Sequence, residues 1–507
     1  MAVVLGPVLK FCGAEDGHWI VSALVVYTDD IPATGAASGG LAVPMERHSL
    51  GERALKGVTY KIDTFRMRVP QAAADGHCSY RIGEHTHDFT VPAAGHPPTC
   101  AYASCNGFSD PKKIKDYGHK KNAMWSRMDQ NHARRPYHLL LMGGDQLYSD
   151  AMWHGKLLKT WAASPSSSKV TQKPMTAALQ REIDDFFFQA YLSAWAQPEL
   201  ARMLATVPTV MMWDDHDIID GWGSYPKEFQ SCGVFQGIYD IARRHFLLFQ
   251  QHAADASAMP QKLPDQPGHS YALRVGDCGI LALDLRSERS TEQVMSPAAW
   301  NAVYAWLEQQ RELRHLLVMS SIPVVHPDFS TLEMLLCALP GRQELEDDLK
   351  DHWLSRSHQW ERLRLIHRLQ EWSAAHGSRV TILSGDVHVG AIGAIETTRQ
   401  HHEGQPVTIH QLTSSGIVHP PPPAMALFYL EHVGDKVEQL EGGTTTAMYK
   451  FPGTSHRYLG ARNYLSIEPD RAQDGRPLGR LWANWWIEHE DQPYRQAILP
   501  LRKDGPQ

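Results

Sequence analysis

The chain has 507 residues, 43% hydrophobic and 21% charged, with a formal net charge of −7. These are ordinary globular values, and at about 100–200 residues per domain they predict two or three domains with a large core. The acidic balance disfavours non-specific nucleic-acid binding, and no uninterrupted apolar run approaches the roughly 18 residues of a membrane span.

Seven cysteines (Cys12, Cys78, Cys100, Cys105, Cys232, Cys278, Cys337) form an odd, widely spaced set without a CxxC pair. That pattern argues against a disulfide framework and for a reducing compartment. The start, MAVVLGPVLKFCGAEDGHW, carries neither a basic n-region with a cleavage site nor a twin-arginine signal. A cytoplasmic location is the expectation.

Residues 1–98 read as β-rich. HWIVSALVVYTD, VTYKIDTFRMRV and CSYRIGEHTHDFTV combine β-branched and aromatic residues with partial period-2 alternation, separated by Gly/Pro/Asp turns. The expectation is an N-terminal β-sandwich domain. His85 and His87 alternate in the last segment, but a pair falls short of the three or four ligands that a metal needs.

Past AAGHPPTC (93–100) the pattern changes to short apolar runs alternating with helical stretches, which predicts an α/β domain over 99–425. The runs are YHLLLMGG, VPTVMMW, GILALDL, HLLVMSS, RVTILSG and VTIHQLTSS. Helices are predicted within 177–205, 235–255, 296–313 and 353–376, the third opened by Ser296 as N-cap and Pro297 at the first helical position. Residues 327–351 read as an acidic, partly helical insertion, and HPPPPA (419–424) as a stiff polyproline segment. Residues 426–507 read as a β-rich C-terminal extension.

Each apolar run is followed by chemically capable side chains. The first ends in GGDQLYSD, with Asp145, Tyr148 and Asp150. The second ends in WDDHDIIDGWG, with Asp214, Asp215, His216, Asp217 and Asp220. The third ends in LDLRSERS, with Asp284, Arg286 and Arg289. The fifth ends in SGDVHVG, with Asp386 and His388, and upstream AYASCNGFSD offers Cys105 and Asn106. One such aspartate is commonly a turn or cap residue. Several together predict a pocket at one end of a sheet, where ligands of α/β proteins gather. Carboxylates so crowded repel unless a cation is present, and oxygen with imidazole donors suits Mn, Fe, Zn, Mg or Ca. A calcium EF-hand is excluded, because counting from Asp215 its fifth and twelfth loop positions would be Ile219 and Pro226.

In their order, GDQLY, WDDHD, DLRSER and SGDVH resemble the PhoD-like branch of the calcineurin-like metallophosphoesterases. GPVLKF with the β-rich sequence after it is similar to that family's N-terminal sandwich, and the resemblance spans roughly residues 1–425. DHWLSRSHQWERLRLI (351–366) departs from the commoner tyrosine-proline form of the corresponding segment. The resemblance implies a four-layer αββα core holding two metal ions (Fe, Mn, Zn or Ca). It implies Cys105 as a thiolate ligand where the wider superfamily has Asp-x-His, and Asp145 as the residue bridging both ions. Tyr148 would add a phenolate, Asp215 would replace the usual Asn, and Asp386 with His388 would form the last ligand pair. Asp220 is a direct or supporting ligand, Asp214 is supporting, and Asp217 orients His216 or caps the turn.

The chemistry so implied is phosphoester hydrolysis, with a hydroxide held between two cations attacking phosphorus in line. His216 would stabilise charge or protonate the leaving oxygen. Arg286 or Arg289 would grip the phosphoryl group, the alternative for Arg286 being an ion pair with a neighbouring aspartate. The expected partner is a small phosphoester, with nucleic acid only as a phosphodiester substrate and no membrane. A nuclease-type phosphodiesterase and a catalytically silent metal-binding interaction protein are the other readings.

Overall fold

A computed structural model describes residues 3–163, 170–326, 353, 356–398, 407–432 and 437–501. The insertion expected at 327–351, with Cys337, lies outside the described residues.

The predicted apolar runs become strands of two large sheets. In the first, Cys100–Ala103, Leu139–Met142 and Thr209–Met211 lie parallel and adjacent. Val3–Glu15 continues this parallel set, with Lys10 opposite Thr209. His18–Tyr27, Val58–Pro70 and Met45–Leu55 follow antiparallel on that side. On the other side Asn463–Arg471, Pro477–Ile487 and Tyr494–Ile498 complete ten strands. The second sheet is centred on Cys278–Ala282, His315–Ser320, Arg379–Ser384 and Ile409–Ser414, all parallel. Gly390–Thr397 and Thr444–Tyr449 extend it antiparallel.

The N-terminal strands divide between two sheets. Four join the first large sheet, while Thr34–Ser38, Leu41–Ala42, Gly76–Ile82 and His85–Val91 form a separate four-stranded sheet. Strand hydrogen bonding therefore crosses the boundary expected near residue 98. The reason is visible in burial. His18–Tyr27 and most of Val3–Glu15 have no exposed face, the property of strands covered on both sides rather than on one. The strands of the β-rich C-terminal stretch join the large sheets.

Period-2 alternation explains the layering of the second sheet. Ile280, Ala282, Leu317, Met319 and Leu383 point into the same apolar cluster as the first sheet. Their neighbours Leu281, Leu316, Val318 and Ile382 point the other way, into a cluster with Trp300 and Val303 of the helix Pro297–Gln309 and Leu365 and Leu369 of Arg356–His376. Ser296 caps the first of these helices as expected, accepting from Ala299 N–H at 3.2 Å. The helix expected over 177–205 is two, Ala177–Trp195 and Pro198–Thr206, because Pro198 starts the second. Both lie against Val3–Glu15. Among the described residues no helix is long and apolar enough to cross a membrane.

Candidate metal centre

The parallel strands of both sheets end at one place, and the loops beyond them carry the candidate residues. Cys105 and Asp145 follow Cys100–Ala103 and Leu139–Met142, Asp214 to Asp220 follow Thr209–Met211, and Asp386 and His388 follow Arg379–Ser384. Four of these, Cys105, Asp145, Asp386 and His388, have φ of 55°, 55°, 70° and 55°. Side chains other than glycine occupy this left-handed region at a cost of about 1–3 kcal/mol each, and such residues concentrate at functional sites. Here the sharp turns send side chains inward from strand ends that would otherwise run out to solvent.

The loops are fastened to one another. Asp217 accepts from Gln146 N–H (3.2 Å), Leu147 N–H (3.0 Å), Asp214 N–H (3.0 Å) and Gln250 Nε2 (3.1 Å). Its carboxylate is thus committed to backbone clasping and does not orient His216. Burial, its largest influence, pushes the Asp217 pKa up to about 7. Asp284 is a second clasp. It accepts from Trp213 Nε1 at 2.9 Å and from His269 N–H at 2.7 Å. Burial opposes its ionisation, but hydrogen bonds from His269, Ser287 and Trp213 prevail and lower its pKa.

Two overlapping groups of side chains bring one ligand atom each to within 4.8 Å of one another. One is Asp145, Asp215 and His216; the other is Asp145, Asp214, Asp215 and Asp386. Asp145 and Asp215 are common to both. Asp214, expected to be merely supporting, lies inside the acidic cluster. Cys105 Sγ is 3.4 Å from Asp145 Oδ2 and 3.0 Å from Ser415 Oγ, outside both groups. Burial first, then the neighbouring Asp145, pushes its pKa well above the ordinary thiol value. Asp220 Oδ1 stands 3.9 Å from His216 Nε2 and is also outside the groups. His388 lies at the rim, its ring stacked on His419 with centroids 3.6 Å apart and its N–H donating to Ser415 Oγ at 3.0 Å.

Whether cations suit these donors is a question of charge. Asp145, Asp214 and Asp215 are almost wholly buried. Burial and the surrounding Asp214, Asp215 and Asp217 push the Asp145 pKa well up against the opposing pull of His216. Its Oδ1 is buried with no hydrogen-bond partner. The guanidinium of Arg286, at 0% exposure, enters the group: it pairs with Asp214, lies 3.3 Å from Asp215 Oδ1 and donates to Trp222 O at 3.1 Å. Four crowded carboxylates, with Arg286 paired to two of them and an orphaned oxygen on Asp145, fit a metal cation. Arg286 has the ion pair with neighbouring aspartates that the sequence offered as its alternative role. Arg289 is also buried and packs on Gly223, where a Cβ would collide with its side chain.

His216 is held from two sides. Its Nδ1 is 3.0 Å from Asp150 Oδ2, and its ring stacks on Tyr148 at 4.2 Å. Burial opposes its protonation, but Asp150, Asp220 and Asp215 outweigh that and raise its pKa well above the ordinary value. Tyr148 fits against Gly107 so closely that any Cβ there would strike its ring. Two site residues had no role in the sequence reading. Asp150, rather than Asp217, holds His216, and His419 stacks on both His388 and Tyr148. Asp150 carried a signal in GDQLYSD, since it shares a loop with Asp145. His419, the first residue of HPPPPA, carried none.

The family model described as PhoD related phosphatase matches residues 98–340 and 338–441. The chain is 29% identical over 405 residues to the uncharacterized protein YGR266W of Saccharomyces cerevisiae, covering 67% of this chain and 57% of the yeast protein. It thus spans less than two thirds of that relative's length. The solved structure titled Structure of PhoD aligns with a TM-score of 0.57 at 12% identity, covering 96% of this chain and 88% of that one, which shows a shared fold. The chain belongs to the PhoD related phosphatase family.

Proposed function

We propose that the protein is a metal-dependent phosphoester hydrolase acting on a small phosphoester, with its two large sheets and their helices as the four-layer αββα core of a metallophosphoesterase. Nucleic acid enters this reading only as a phosphodiester substrate. The observation that carries it is the buried cluster of Asp145, Asp214, Asp215 and Asp386 beside an imidazole fixed by Asp150. The six buried free cysteines among the described residues agree with a reducing, cytoplasmic setting.

Bound cations supply electrophilic activation of the phosphoryl oxygens and of a water molecule. Asp145 and Asp215, present in both groups of ligand atoms, would hold the cations, and Asp386 and Asp214 would complete the acidic side. Cys105, Tyr148, Asp220 and His388 border this set and are supporting or additional ligands. Arg286 offsets Asp214 and Asp215, so the charge left for a cation to balance is smaller than the count of carboxylates suggests. Because Asp150 occupies the Nδ1 side of His216, its Nε2 is the atom that gives a proton to the leaving oxygen. Arg289 is left as the fork for the phosphoryl group.

Replacing Asp145 by Asn is the decisive experiment. Hydrolysis of p-nitrophenyl phosphate and of its bis-ester should fall by at least about a thousandfold, with lower metal content by elemental analysis. Full activity in a folded Asp145→Asn variant sinks the assignment. The ratio of mono- to bis-ester turnover in the native protein decides between phosphatase and phosphodiesterase.

A further inference from the structure

The helix Ala177–Trp195 has a core face and a second face of mixed, mostly small side chains. One carries Ile183, Phe187, Tyr191 and Trp195, all buried in the core. The other carries Phe186, Gln189, Ala190, Ser193 and Ala194, at helical spacings of three and four, and these line an open cavity of about 670 Å³. The two alanines create the space, because any longer side chain at 190 or 194 would stand in it. Phe108, Leu147 and Val418 form further apolar walls.

This cavity adjoins the carboxylate cluster through shared residues. Tyr148 lines it and stacks on His216 at 4.2 Å. Ser109 also lines it, and the Ser109 hydroxyl is 3.1 Å from Nε2 of His419, whose ring covers His388. Asn106, another lining residue, directly follows Cys105 and accepts from Trp125 Nε1 at 2.8 Å, which fixes that wall. The volume lies within the roughly 300–1,000 Å³ typical of small-molecule sites, where apolar walls with a few polar groups bury most of a ligand. It far exceeds what a phosphate or a small polar alcohol would fill.

We propose that this cavity receives the organic group of the substrate, and that the substrate is the phosphoester of a bulky, largely apolar alcohol. The inference rests on the phosphoester-hydrolase reading and deepens it. Phosphate sits at the carboxylates, the leaving oxygen lies beside His216, and the apolar group extends past Tyr148 along the alanine face.

The test uses phenyl, 4-butylphenyl and 4-octylphenyl phosphate, or their methyl diesters if only diesters turn over. Their leaving groups are nearly equal in acidity and differ in apolar bulk. In the full chain, kcat/KM should rise at least tenfold from phenyl to 4-butylphenyl. Ala190→Trp and Ala194→Phe, which fill the cavity, should abolish the rise, read as the ratio of 4-butylphenyl to phenyl kcat/KM within each variant. A flat series in the native protein overturns the proposal, and so does an undiminished rise in both variants. Should both variants lose the phenyl ester as well, the native series alone decides. If none of these esters, nor p-nitrophenyl phosphate or its bis-ester, is hydrolysed by metal-loaded protein, the hydrolase reading fails instead.

Discussion

The two ends of the same parallel strands are both crowded with charge, yet they handle it in opposite ways. Where Cys100–Ala103 and Leu139–Met142 begin, a cleft of about 480 Å³ is lined by Asp75, Arg135, His138, Glu468, Asp470 and Arg471. There each acid has its own cation: Glu468 pairs with Arg135, Asp470 with Arg480, and Asp75 with Arg471 at 3.4 Å. Where the strands finish, Asp145, Asp214, Asp215 and Asp386 converge in the interior, and the embedded guanidinium of Arg286 pairs with Asp214 and Asp215. Acidic density is therefore a poor marker of a metal site. Burial without enough counter-charge is the better one, since a self-neutralised surface asks for nothing further.

The contrast is sharpest at Arg286. Arg286→Met should strand Asp214 and Asp215 in the interior and cost about 3–5 kcal/mol, the range for breaking a buried ion pair from one side. Urea denaturation measures it, and a loss below about 1 kcal/mol would show that the carboxylates do not depend on this arginine. Next in size is metal removal. An ion that binds only the folded chain stabilises it by about 2.7 kcal/mol at one hundred times its Kd. Chelation should therefore lower the melting temperature, and Asp145→Asn should erase the difference between treated and untreated protein. An equal shift in native and variant protein would locate the ion elsewhere.

Asp150→Asn should reduce turnover by roughly 10–100-fold, the range for a partner that orients a functional group, with metal content unchanged. Unaltered turnover removes Asp150 as the residue positioning His216. At the opposite strand end, burial is the main cause that lowers the His138 pKa to about 4, and its Nδ1 accepts from Thr99 N–H at 2.9 Å. The unfolded chain takes up this proton near pH 6.5 and the folded chain resists it until about pH 4. Stability should thus fall as pH drops through that window, by at most about 1.4 kcal/mol per pH unit. His138→Asn, which keeps an acceptor for Thr99, should flatten the acid limb of a denaturation-midpoint profile; an identical limb refutes the assignment. Smallest of all, Arg480→Ala should change stability by no more than about 1 kcal/mol, because its pair with Asp470 is half-exposed. A loss like that of Arg286→Met would erase the distinction between the two ends.

Much of the site was legible in the sequence because it is local. An apolar run followed within five residues by Asp, Tyr or His specifies a strand and what stands at its end, and these ends meet wherever parallel strands are adjacent. What escaped depends on approach between distant segments. Asp214 and Arg286 are 72 residues apart, and Asp150 and His216 are 66 apart. No periodicity encodes which acid meets which cation. Asp217 looked equivalent to its neighbours, yet its carboxylate is claimed by the backbone of the loop that carries Asp145. The β-rich character of residues 1–98 was equally plain. That half of these strands would enter the central sheet was written only in the lack of polar alternation along WIVSALVVY, which reads as a strand covered on both faces.

The late return of the chain to its first large sheet bears on how the protein is made. Leu465 pairs with Tyr102, so the strand Cys100–Ala103 stays an open edge until a segment more than 350 residues downstream leaves the ribosome. Asn463 of the same returning strand also ties down the loop after Ile409–Ser414, accepting from Ser414 Oγ at 2.7 Å and donating to Ser415 O at 2.7 Å. An unpaired edge is a template for misassociation, and pairings of such long sequence separation form slowly. A nascent chain of this protein is thus exposed to aggregation for most of its synthesis, and a stop codon upstream of residue 463 would leave Cys100–Ala103 as an unpaired edge.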